Sequence, residues 1–421
     1  MGRRIGRRDL LSQGLGWAGA AAAGVFWTAG GETAGAAAPI KIGLIIPLTG
    51  VFAPNGRDMV NGFSLALAQA GDKGAGREIQ VLTEDDQGIP AQTLTKARKL
   101  VELDKVDLLV GPLTANSGYA LRDYIDQQKV PAIYPIVSSD DLTQRKGSPW
   151  LVRTGWTSSQ VNHPFGEYAA KTLRYKRIAT IAYDFAFGWE TVEGFQDTFE
   201  QNGGRVVQHL WPPIGAPDYS PYLGRIPRDV DAVYATFSGG DALRFLQQWR
   251  AFGLEGRLPL IGNGTLTDEH ILFQENELAR GIVTALHYSA ALNTPANRDF
   301  VRAYVKAYNR VPSYYSEGTY TAGLFILKGL EAVGGRIENR SAFIAAVRAV
   351  ALPAAPRGPI RLDRWVNPIE NVYVRRVDIV NGEPQNTVIH TYPNVSQFWT
   401  WNPAEYLKRP VYTRDLPPAR P

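Results

Sequence analysis

Short apolar runs alternate with longer amphipathic segments along most of this chain, and no other feature restricts its possible folds as strongly. The first series opens with an apolar run at residues 40–46, an amphipathic segment at 61–69 and a second apolar run at 79–83. A run that is apolar at every position indicates a strand buried on both faces, whereas the longer segments have the period of helices. The alternation therefore predicts the α/β class, with parallel sheets covered by helices on both sides.

The alternation falls into two series, which predict two doubly wound units. The first series continues with strands at 107–110 and 132–136 and helices at 90–103 and 119–127. The second series has strands at 177–183, 206–210, 232–237 and 258–261, with helices at 189–201 and 240–252. We interpret the apolar segments at 150–154 and 282–288 as crossing segments between the two units. Helices at 295–309, 316–333 and 341–350 and a hairpin at 372–379 and 387–391 follow.

The length of the chain, 421 residues, exceeds the usual size of a single hydrophobic core, so we expect two domains. We predict a first lobe from residues 38–153 plus 287–355 and a second lobe from residues 154–286 plus 356–421, with the crossing segments as hinges. The second lobe then includes the hairpin and a C-terminal tail rich in Trp, Tyr and Pro. Residues 1–37 fall outside both lobes.

The first 37 residues have the features of a secretory leader. A twin-arginine pair, Arg7-Arg8, precedes an Ala/Gly-rich apolar stretch at 15–29 and the small-residue site Ala34-Gly35-Ala36. This order predicts a Tat-type signal peptide, and an uncleaved membrane anchor is the alternative. The chain has no cysteine, which excludes disulfides and a lipid-modified cysteine. We therefore expect a mature protein that is free in the periplasm of a Gram-negative bacterium and is not embedded in a membrane.

Composition and motifs argue against several functions. The net charge of +5 comes without a long Lys/Arg run, so we expect no nucleic-acid partner. The sequence contains no G-x-S-x-G, no Gly-Lys-Ser/Thr phosphate loop and no H-E-x-x-H motif. Its five histidines are not paired at metal-ligand spacing. We predict no catalytic residue, no metal site and no cofactor, and the weaker alternative is a Rossmann-type enzyme that uses nicotinamide or flavin.

The candidate site lies in the turns after the strands, because ligands of open α/β sheets bind beyond the carboxyl ends of the strands. The turn at 47–56 contains Phe52 and Asn55, and the turns at 111–117 and 135–139 are rich in Ser and Thr. Free backbone N–H groups at a helix start, beside hydroxyl groups, suit an anion such as a carboxylate. Simple capping of the helices by the same side chains is the alternative for any single turn.

Residues 41–56, 107–117 and 133–143 resemble the corresponding segments of the leucine/isoleucine/valine-binding family of periplasmic solute-binding proteins, the type I binding proteins of ABC importers. The resemblance covers essentially the whole chain after the leader, including the turn Pro312-Ser313-Tyr314-Tyr315. It implies two lobes that close like a hinge on one small molecule, and a membrane permease as the partner. Residues 395–399 resemble a subgroup that takes up aromatic carboxylates.

The resemblance also implies a ligand site. In the family, the turns at 114–117 and 136–138 hold the ligand carboxylate through backbone N–H and hydroxyl groups, and large aromatic side chains cover the body of the ligand. The candidate ligand-binding residues are Phe52, Asn55, Thr114, Ala115, Asn116, Ser117, Ile136, Val137, Ser138, Phe187, Phe237, Asn263, Gly264 and Tyr315.

Family members that bind α-amino acids place a carboxylate after a strand of the second lobe, where this chain has Gly262-Asn263-Gly264-Thr265. A buried ammonium without a counter-charge is costly, so we expect a carboxylate ligand with an aromatic or apolar body, of benzoate or hydroxycinnamate type. In the alternative, Asp184, Asp268 or Glu317 supplies the charge and the ligand is a branched-chain amino acid or an amide. A ligand-sensing receptor subunit on the same fold is the alternative to transport.

Overall fold

Strand β1 (Ile40–Ile46) is buried along almost its whole length, in agreement with its continuous apolar sequence. In the computed structural model, which describes residues 37–420, β1 pairs in parallel with β3 (Arg77–Asp85) on one side and with β4 (Leu108–Val110) on the other. A central strand with partners at both edges is expected to be apolar on both faces. The predicted leader, residues 1–37, lies outside the described residues except for Ala37.

The first sheet has six strands in the order β2-β3-β1-β4-β5-β6. Its remaining strands are β2 (Lys73–Gly74), β5 (Ala132–Tyr134) and β6 (Leu151–Arg153). All pairs are parallel except β2 with β3. We call this sheet, with the helices packed on it, the first lobe.

The second sheet has nine strands, and its central part is parallel. Strands β7 to β11 pair in parallel in the order β11-β10-β9-β7-β8, and β14 then joins β11 in antiparallel orientation. The strands are β7 (Arg177–Ala182), β8 (Arg205–Leu210), β9 (Ala232–Thr236), β10 (Leu260–Asn263), β11 (Val283–Leu286), β12 (Ala351–Ala355), β13 (Gly358–Leu362), β14 (Pro368–Val380) and β15 (Glu383–Val395). We call this sheet and its helices the second lobe, and the α/β class with two parallel-sheet lobes is confirmed.

Thirteen α-helices are formed by residues 37–420. They are α1 (Ala53–Gln69), α2 (Pro90–Arg98), α3 (Ala115–Gln128), α4 (Asp141–Gln144), α5 (Asn162–Lys171), α6 (Ala186–Gln201), α7 (Ser220–Leu223), α8 (Gly239–Ala251), α9 (Glu269–Glu275), α10 (Pro295–Tyr308), α11 (Tyr314–Ala332), α12 (Arg340–Arg348) and α13 (Pro403–Tyr406). A π-helical turn, Lys99–Leu103, extends α2. Helices α10 and α11 pack on α1 and therefore belong to the first lobe, although they follow the second series in sequence.

The two predicted crossing segments are themselves strands. Residues 150–154 contain β6, which pairs with β5 at the edge of the first sheet, and residues 282–288 contain β11, which lies between β10 and β14. The apolar character of both segments therefore reflects burial in a sheet, and the chain crosses between the lobes only after each strand ends.

The predicted division of the chain at residues 153/154, 286/287 and 355/356 stays a prediction. One strand within the proposed first-lobe stretch, β12, hydrogen-bonds through β13 to β14 of the second sheet. The last crossing of the chain therefore comes before β12, between α12 and Ala351.

Membrane-spanning helices and metal clusters are both absent from the part of the chain that the structure describes. None of its helices combines the length and the hydrophobicity that crossing a bilayer requires. Within the same residues, no cluster of three or more His, Cys, Asp or Glu side chains has the arrangement of a metal site.

Candidate functional site

A cavity that is partly open to solvent lies between the two lobes at the carboxyl ends of their strands, and the empty space there, including the solvent at its mouth, is about 370 Å³. Both sheets direct their post-strand turns into it, as expected for open α/β sheets. Six aromatic side chains and three hydroxyl-bearing side chains, Thr114, Ser138 and Ser238, dominate its wall. The lining residues are Phe52, Leu113, Thr114, Ala115, Ile136, Ser138, Tyr183, Phe185, Phe187, Ser238, Tyr314 and Tyr315.

The first lobe contributes the start of helix α3. Thr114 is the N-cap residue, and its hydroxyl oxygen accepts a hydrogen bond from the Ser117 backbone N–H at 3.3 Å. Ala115 is the first helical residue, and the first N–H groups of a helix have no intrahelical acceptor. The cavity therefore meets the positive end of a helix, which favours an anionic group.

Ser138 supplies a second polar group to the same wall. Its hydroxyl oxygen accepts a hydrogen bond from the Ser158 hydroxyl at 2.9 Å, and its carbonyl oxygen accepts one from the Ser158 backbone N–H at 2.7 Å. The Ser138 hydroxyl hydrogen is therefore free to point at a ligand. Ser158 follows β6, so this contact also fixes the turn after β5 against the chain crossing.

The second lobe contributes a largely aromatic wall. Tyr183, Phe185 and Phe187 follow β7, with ring centroids 5.5 Å apart for the first pair and 6.1 Å apart for the second. The Tyr183 hydroxyl donates to the Ser238 carbonyl oxygen at 3.0 Å and accepts from the Ser238 N–H at 3.2 Å. This contact sets the position of the turn after β9.

Three buried side chains join the lobes across the cavity. Asn55 and Tyr315 belong to the first lobe, on α1 and α11, and Ser238 belongs to the second. The Ser238 hydroxyl oxygen accepts from Asn55 Nδ2 at 3.1 Å and lies 2.6 Å from the Tyr315 hydroxyl oxygen. Gly239 has φ +59°, and a Cβ there would lie 3.0 Å from Asn55 Oδ1, so a glycine permits this close approach of the lobes. The structure therefore has its lobes in contact.

Seven of the predicted site residues line the cavity, and Asn55 lies directly behind it. The seven are Phe52, Thr114, Ala115, Ile136, Ser138, Phe187 and Tyr315. Their role in binding a ligand stays a prediction, because the structure defines only their position.

Three residues of the predicted turns point elsewhere. The Asn116 side chain is exposed. The Ser117 hydroxyl lies 2.7 Å from that of Thr93, below the helix start, and Val137 is fully buried in the core of the first lobe. Successive side chains point in different directions along a strand or a helix, so a contiguous segment cannot supply every side chain to one cavity.

Phe237 also lies away from the cavity, which corrects its predicted position. Its ring packs on Tyr183, Tyr219 and Phe245, with centroids 5.2, 5.1 and 4.7 Å away, inside the core of the second lobe. The next residue, Ser238, faces the cavity instead. Phe237 and Ser238 are adjacent in the sequence, but their side chains point to opposite sides at the end of β9.

Asn263 and Gly264 do not line the cavity either. Asn263 Oδ1 accepts from the Thr265 N–H at 3.0 Å and so caps the following 3₁₀ turn. The Gly264 carbonyl oxygen accepts a hydrogen bond from the buried Arg375 at 2.7 Å, and a Cβ at Gly264 would lie 2.5 Å from Leu286 Cβ. This turn therefore packs against the second sheet.

Five lining residues were not predicted: Leu113, Tyr183, Phe185, Ser238 and Tyr314. Four of them come shortly after β4, β7 and β9, so the rule that ligands bind beyond the carboxyl ends of strands could have identified them from the sequence. Tyr314 lies in the turn that the resemblance singled out, beside Tyr315, and its ring centroid is 3.9 Å from that of its neighbour.

The wall of the cavity is neutral. Among the described residues that line it, none is Asp, Glu, Lys, Arg or His. Burial raises the pKa values of Tyr183 and Tyr314 well above the ordinary tyrosine value, so both phenols stay protonated at neutral pH. The cavity therefore offers hydroxyl and amide donors but no counter-ion for an ammonium group.

The three acids considered as alternative counter-charges are engaged elsewhere. Asp184 Oδ1 accepts from Trp189 Nε1 and Arg414 Nε, both at 3.0 Å. Asp268 lies 2.7 Å from His270 Nδ1. Glu317 forms an ion pair with Arg357 at 2.9 Å.

The family model described as "Periplasmic binding protein" matches residues 39–384. The chain belongs to this family. A "Leu/Ile/Val-binding protein homolog 6" of Brucella melitensis is 30% identical over 361 residues, which cover 84% of this chain and 91% of the relative.

Solved structures give this periplasmic binding protein the same fold. An ABC transporter substrate-binding protein from Sphaerobacter thermophilus superposes with a TM-score of 0.80 at 34% identity, over 86% of this chain and 99% of that one. A solute-binding protein from R. palustris in complex with benzoate has a TM-score of 0.80 and 30% identity, over 85% and 98%. A solute-binding protein from Rhodopseudomonas palustris BisB5 in complex with 3,4-dihydroxybenzoic acid has a TM-score of 0.81 and 31% identity, over 85% of this chain and 98% of that one.

Proposed function

We propose that this protein is the periplasmic substrate-binding component of an ABC importer and that it captures a small aromatic carboxylate. The observation that carries the proposal is the composition of the interlobe cavity: aromatic rings, hydroxyl groups and a helix start, with no charged side chain among its described lining residues. The ligand carboxylate would lie at Thr114, Ala115 and Ser138, and the ring would lie against the aromatic wall of the second lobe.

The energies of these contacts are sufficient for a micromolar ligand. Burial of one ring of about 150 Å2 at ~25 cal/mol per Å2 contributes roughly 4 kcal/mol. Each hydrogen bond to a carboxylate contributes about 1.5–3 kcal/mol. Two or three such bonds bring the sum near the ~8 kcal/mol of a micromolar complex, before the cost of ordering.

A branched-chain amino acid is the second candidate, because several relatives are named Leu/Ile/Val-binding proteins. Such a ligand brings an α-ammonium group into the cavity, where no carboxylate faces it. The cost of an unpaired buried charge is the reason for preferring an acid without an ammonium group.

Matched ligand pairs separate the two candidates. L-phenylalanine and 3-phenylpropanoate differ only in the ammonium group, and so do L-leucine and 4-methylpentanoate. We expect calorimetric titration to give at least a tenfold lower Kd for the ammonium-free member of each pair, and the lowest Kd for a benzoate-type acid. A lower Kd for leucine than for every acid of the panel would overturn the proposed ligand class.

Export and transport have tests of their own. Mass spectrometry of the protein from the periplasm should give an N-terminus near Ala37, and an intact Met1 would contradict the leader.

Deletion of the gene should abolish uptake of the bound acid by the source bacterium. Unchanged uptake in the deletion strain would favour the sensing role on the same fold.

A further inference from the structure

Two buried side chains behind the cavity, Trp156 and His287, have nitrogen atoms with no hydrogen-bond partner. Trp156 Nε1 and both ring nitrogens of His287 lack an acceptor or donor among the described residues, and both side chains have 0% exposure. The two rings are in contact, with centroids 5.6 Å apart. Buried polar atoms of native proteins nearly always have a partner, so this pair requires an explanation.

Both residues follow the carboxyl ends of strands. Trp156 comes shortly after β6 in the first sheet, and His287 comes directly after β11 in the second. The residues of the second lobe that line the cavity, after β7 and β9, have the same kind of position. Trp156 and His287 therefore belong, by topology, to the ring of turns that surrounds the interlobe cavity.

The pair also touches the wall of the cavity directly. The Trp156 ring lies edge-on to Phe187 and Tyr314, with centroids 6.0 and 6.1 Å away, and the His287 ring lies 5.7 Å from Tyr314. On either side of Trp156, Ser158 bonds to Ser138, and a Cβ at Gly155 would meet the Pro135 carbonyl oxygen at 2.2 Å. The pair thus lies in a layer behind the cavity wall, in contact with Phe187 and Tyr314.

The nitrogen atoms of the pair can together hydrogen-bond one hydroxyl group. Burial, with the nearby Arg357 and Arg375 guanidinium groups, holds the pKa of His287 well below its usual value, so the ring is neutral. A neutral imidazole has one N–H donor and one acceptor nitrogen, and the indole has one N–H donor. A hydroxyl group accepts from the indole and donates to the imidazole at the same time, whereas a methyl group or a ring hydrogen does neither.

We propose that Trp156 and His287 are specificity-determining residues that read a hydroxyl group on the ring of the ligand, so that the substrate class is hydroxylated aromatic acids rather than benzoate itself. This inference rests on the proposed function, since it places the carboxylate of the same ligand at Thr114 and Ser138. For the ligand hydroxyl to reach the pair, the rings of Phe187 and Tyr314, which separate the pair from the cavity, have to move aside.

The first arm of the test uses the unaltered protein and matched ligands. Calorimetric titration compares benzoate, the three hydroxybenzoates and the three methylbenzoates. We expect one hydroxybenzoate to bind about tenfold more tightly than benzoate and than the methylbenzoate substituted at the same position. Equal affinities within twofold across the panel would overturn the inference, since a buried water would then satisfy the pair.

The second arm uses Trp156→Phe and His287→Leu, which remove the ring nitrogens and keep a large apolar side chain at each position. Each variant should lose the preference for the hydroxybenzoate while its Kd for benzoate stays within about threefold. Trp189→Phe is the matched control, because its indole N–H bonds to Asp184 outside the cavity, and it should keep the preference.

The outcomes of this test separate the two proposals. Retention of the full preference by both variants would overturn the specificity role and leave the proposed function standing. Absence of binding by every aromatic acid in the panel would overturn the proposed function and this inference together.

Discussion

At the scale of single residues, the contact between the lobes depends on Ser238, whose hydroxyl group contacts both Asn55 and Tyr315. An ordinary hydrogen bond contributes about 1 kcal/mol, so loss of the two weakens the closed form by about 1–2 kcal/mol. Ser238→Ala should therefore raise the Kd of the bound acid by about 5- to 30-fold in calorimetric titration, with little effect on the free energy of unfolding. Asn116→Ala, at an exposed position in the helix start, is the control and should leave the Kd unchanged. Equal affinity of Ser238→Ala and the wild type would remove this contact from the closure mechanism.

A carboxyl pair between the lobes predicts a pH dependence of stability. The Asp140 N–H donates to Glu190 Oε1 at 3.2 Å, and both carboxyl groups are buried. Burial raises the pKa of Asp140 to about 7 and that of Glu190 well above its ordinary value. The folded state therefore binds protons that the unfolded state releases above pH ~4, and stability is lost as the pH rises from about 4 to about 7.

Asp140→Asn removes this titration and keeps an oxygen for the Ser159 N–H, which Asp140 Oδ1 accepts at 3.1 Å. We expect the free energy of unfolding of the variant, relative to the wild type, to increase steadily between pH 4 and pH 7.5 in chemical denaturation. A difference that is constant over this range would contradict the binding of a proton by Asp140 in the folded state.

At the scale of elements, the C-terminal tail fastens the two lobes from outside. Arg145, next to α4 of the first lobe, donates to the carbonyl oxygens of Tyr406, Leu407 and Arg409 at 3.3, 3.2 and 2.9 Å. The same tail reaches the second lobe, where Arg409 pairs with Asp197 of α6 at 2.8 Å. The tail therefore spans the boundary between the lobes.

Arg145→Ala should release this segment. The three bonds come from one charged and partly exposed side chain, so we expect a loss of about 1–2 kcal/mol in the free energy of unfolding. Hydrogen exchange of residues 400–420 should become faster, while the centre of the first sheet is unaffected. Arg302→Ala removes an exposed ion pair and is the control. Unchanged exchange in the tail of Arg145→Ala would show that other contacts hold it.

The buried central strands β1, β7, β9 and β10 were the most predictable elements, because burial on both faces leaves a largely apolar run that few other structures produce. The start of α1 was predicted eight residues late, at Asn61 instead of Ala53, since Pro54, Asn55 and Gly56 are typical of turns. Proline is tolerated in the first helical turn, and a Cβ at Gly56 would lie 1.7 Å from the Pro47 carbonyl oxygen. The local sequence signals a turn, and the close packing of helix on strand explains the glycine.

Strands β12 and β13 were missed for a related reason. Pro353 and Pro359 lie within them, and proline indicates the end of regular structure in most contexts. β12 is the terminal strand of the second sheet, where an unpaired edge tolerates a residue without an N–H. The position of a strand in a sheet depends on the whole chain and cannot be read from its own residues.

The candidate site was predictable at the level of turns but not of side chains. Several post-strand turns face one cavity, yet Phe237 and Val137 point into the cores while Ser238 faces the cavity. The direction of a side chain at the end of a strand depends on register and on the packing of the following helix. The sequence alone does not determine the register of a strand or the packing of the next helix to within one residue.

At the scale of the whole molecule, a buried ion triad joins the two lobes through the turn between β12 and β13. Arg357, before β13, contacts Glu317 of α11 in the first lobe and Glu370 of β14 in the second, each at 2.9 Å. All three side chains have no exposure. Because the arginine neutralises acids from both lobes, this triad fixes the base of the interlobe boundary.

Arg357→Met should be strongly destabilising, by about 3–5 kcal/mol in chemical denaturation, because it leaves buried acids without a partner. Replacement of both acids by glutamine in the same chain should restore most of the loss, since the unpaired charges are then absent. A loss below about 1 kcal/mol for Arg357→Met would show that water reaches the triad.

A crystal structure of the protein grown with 4-hydroxybenzoate tests the proposed binding site. We expect the ligand in the cavity between the lobes, with its carboxylate within hydrogen-bond distance of the Ala115 N–H and the Ser138 hydroxyl and its ring against Phe185 and Phe187. A structure with this cavity unoccupied and the acid bound elsewhere, or with the carboxylate away from the start of α3, would contradict the proposed site.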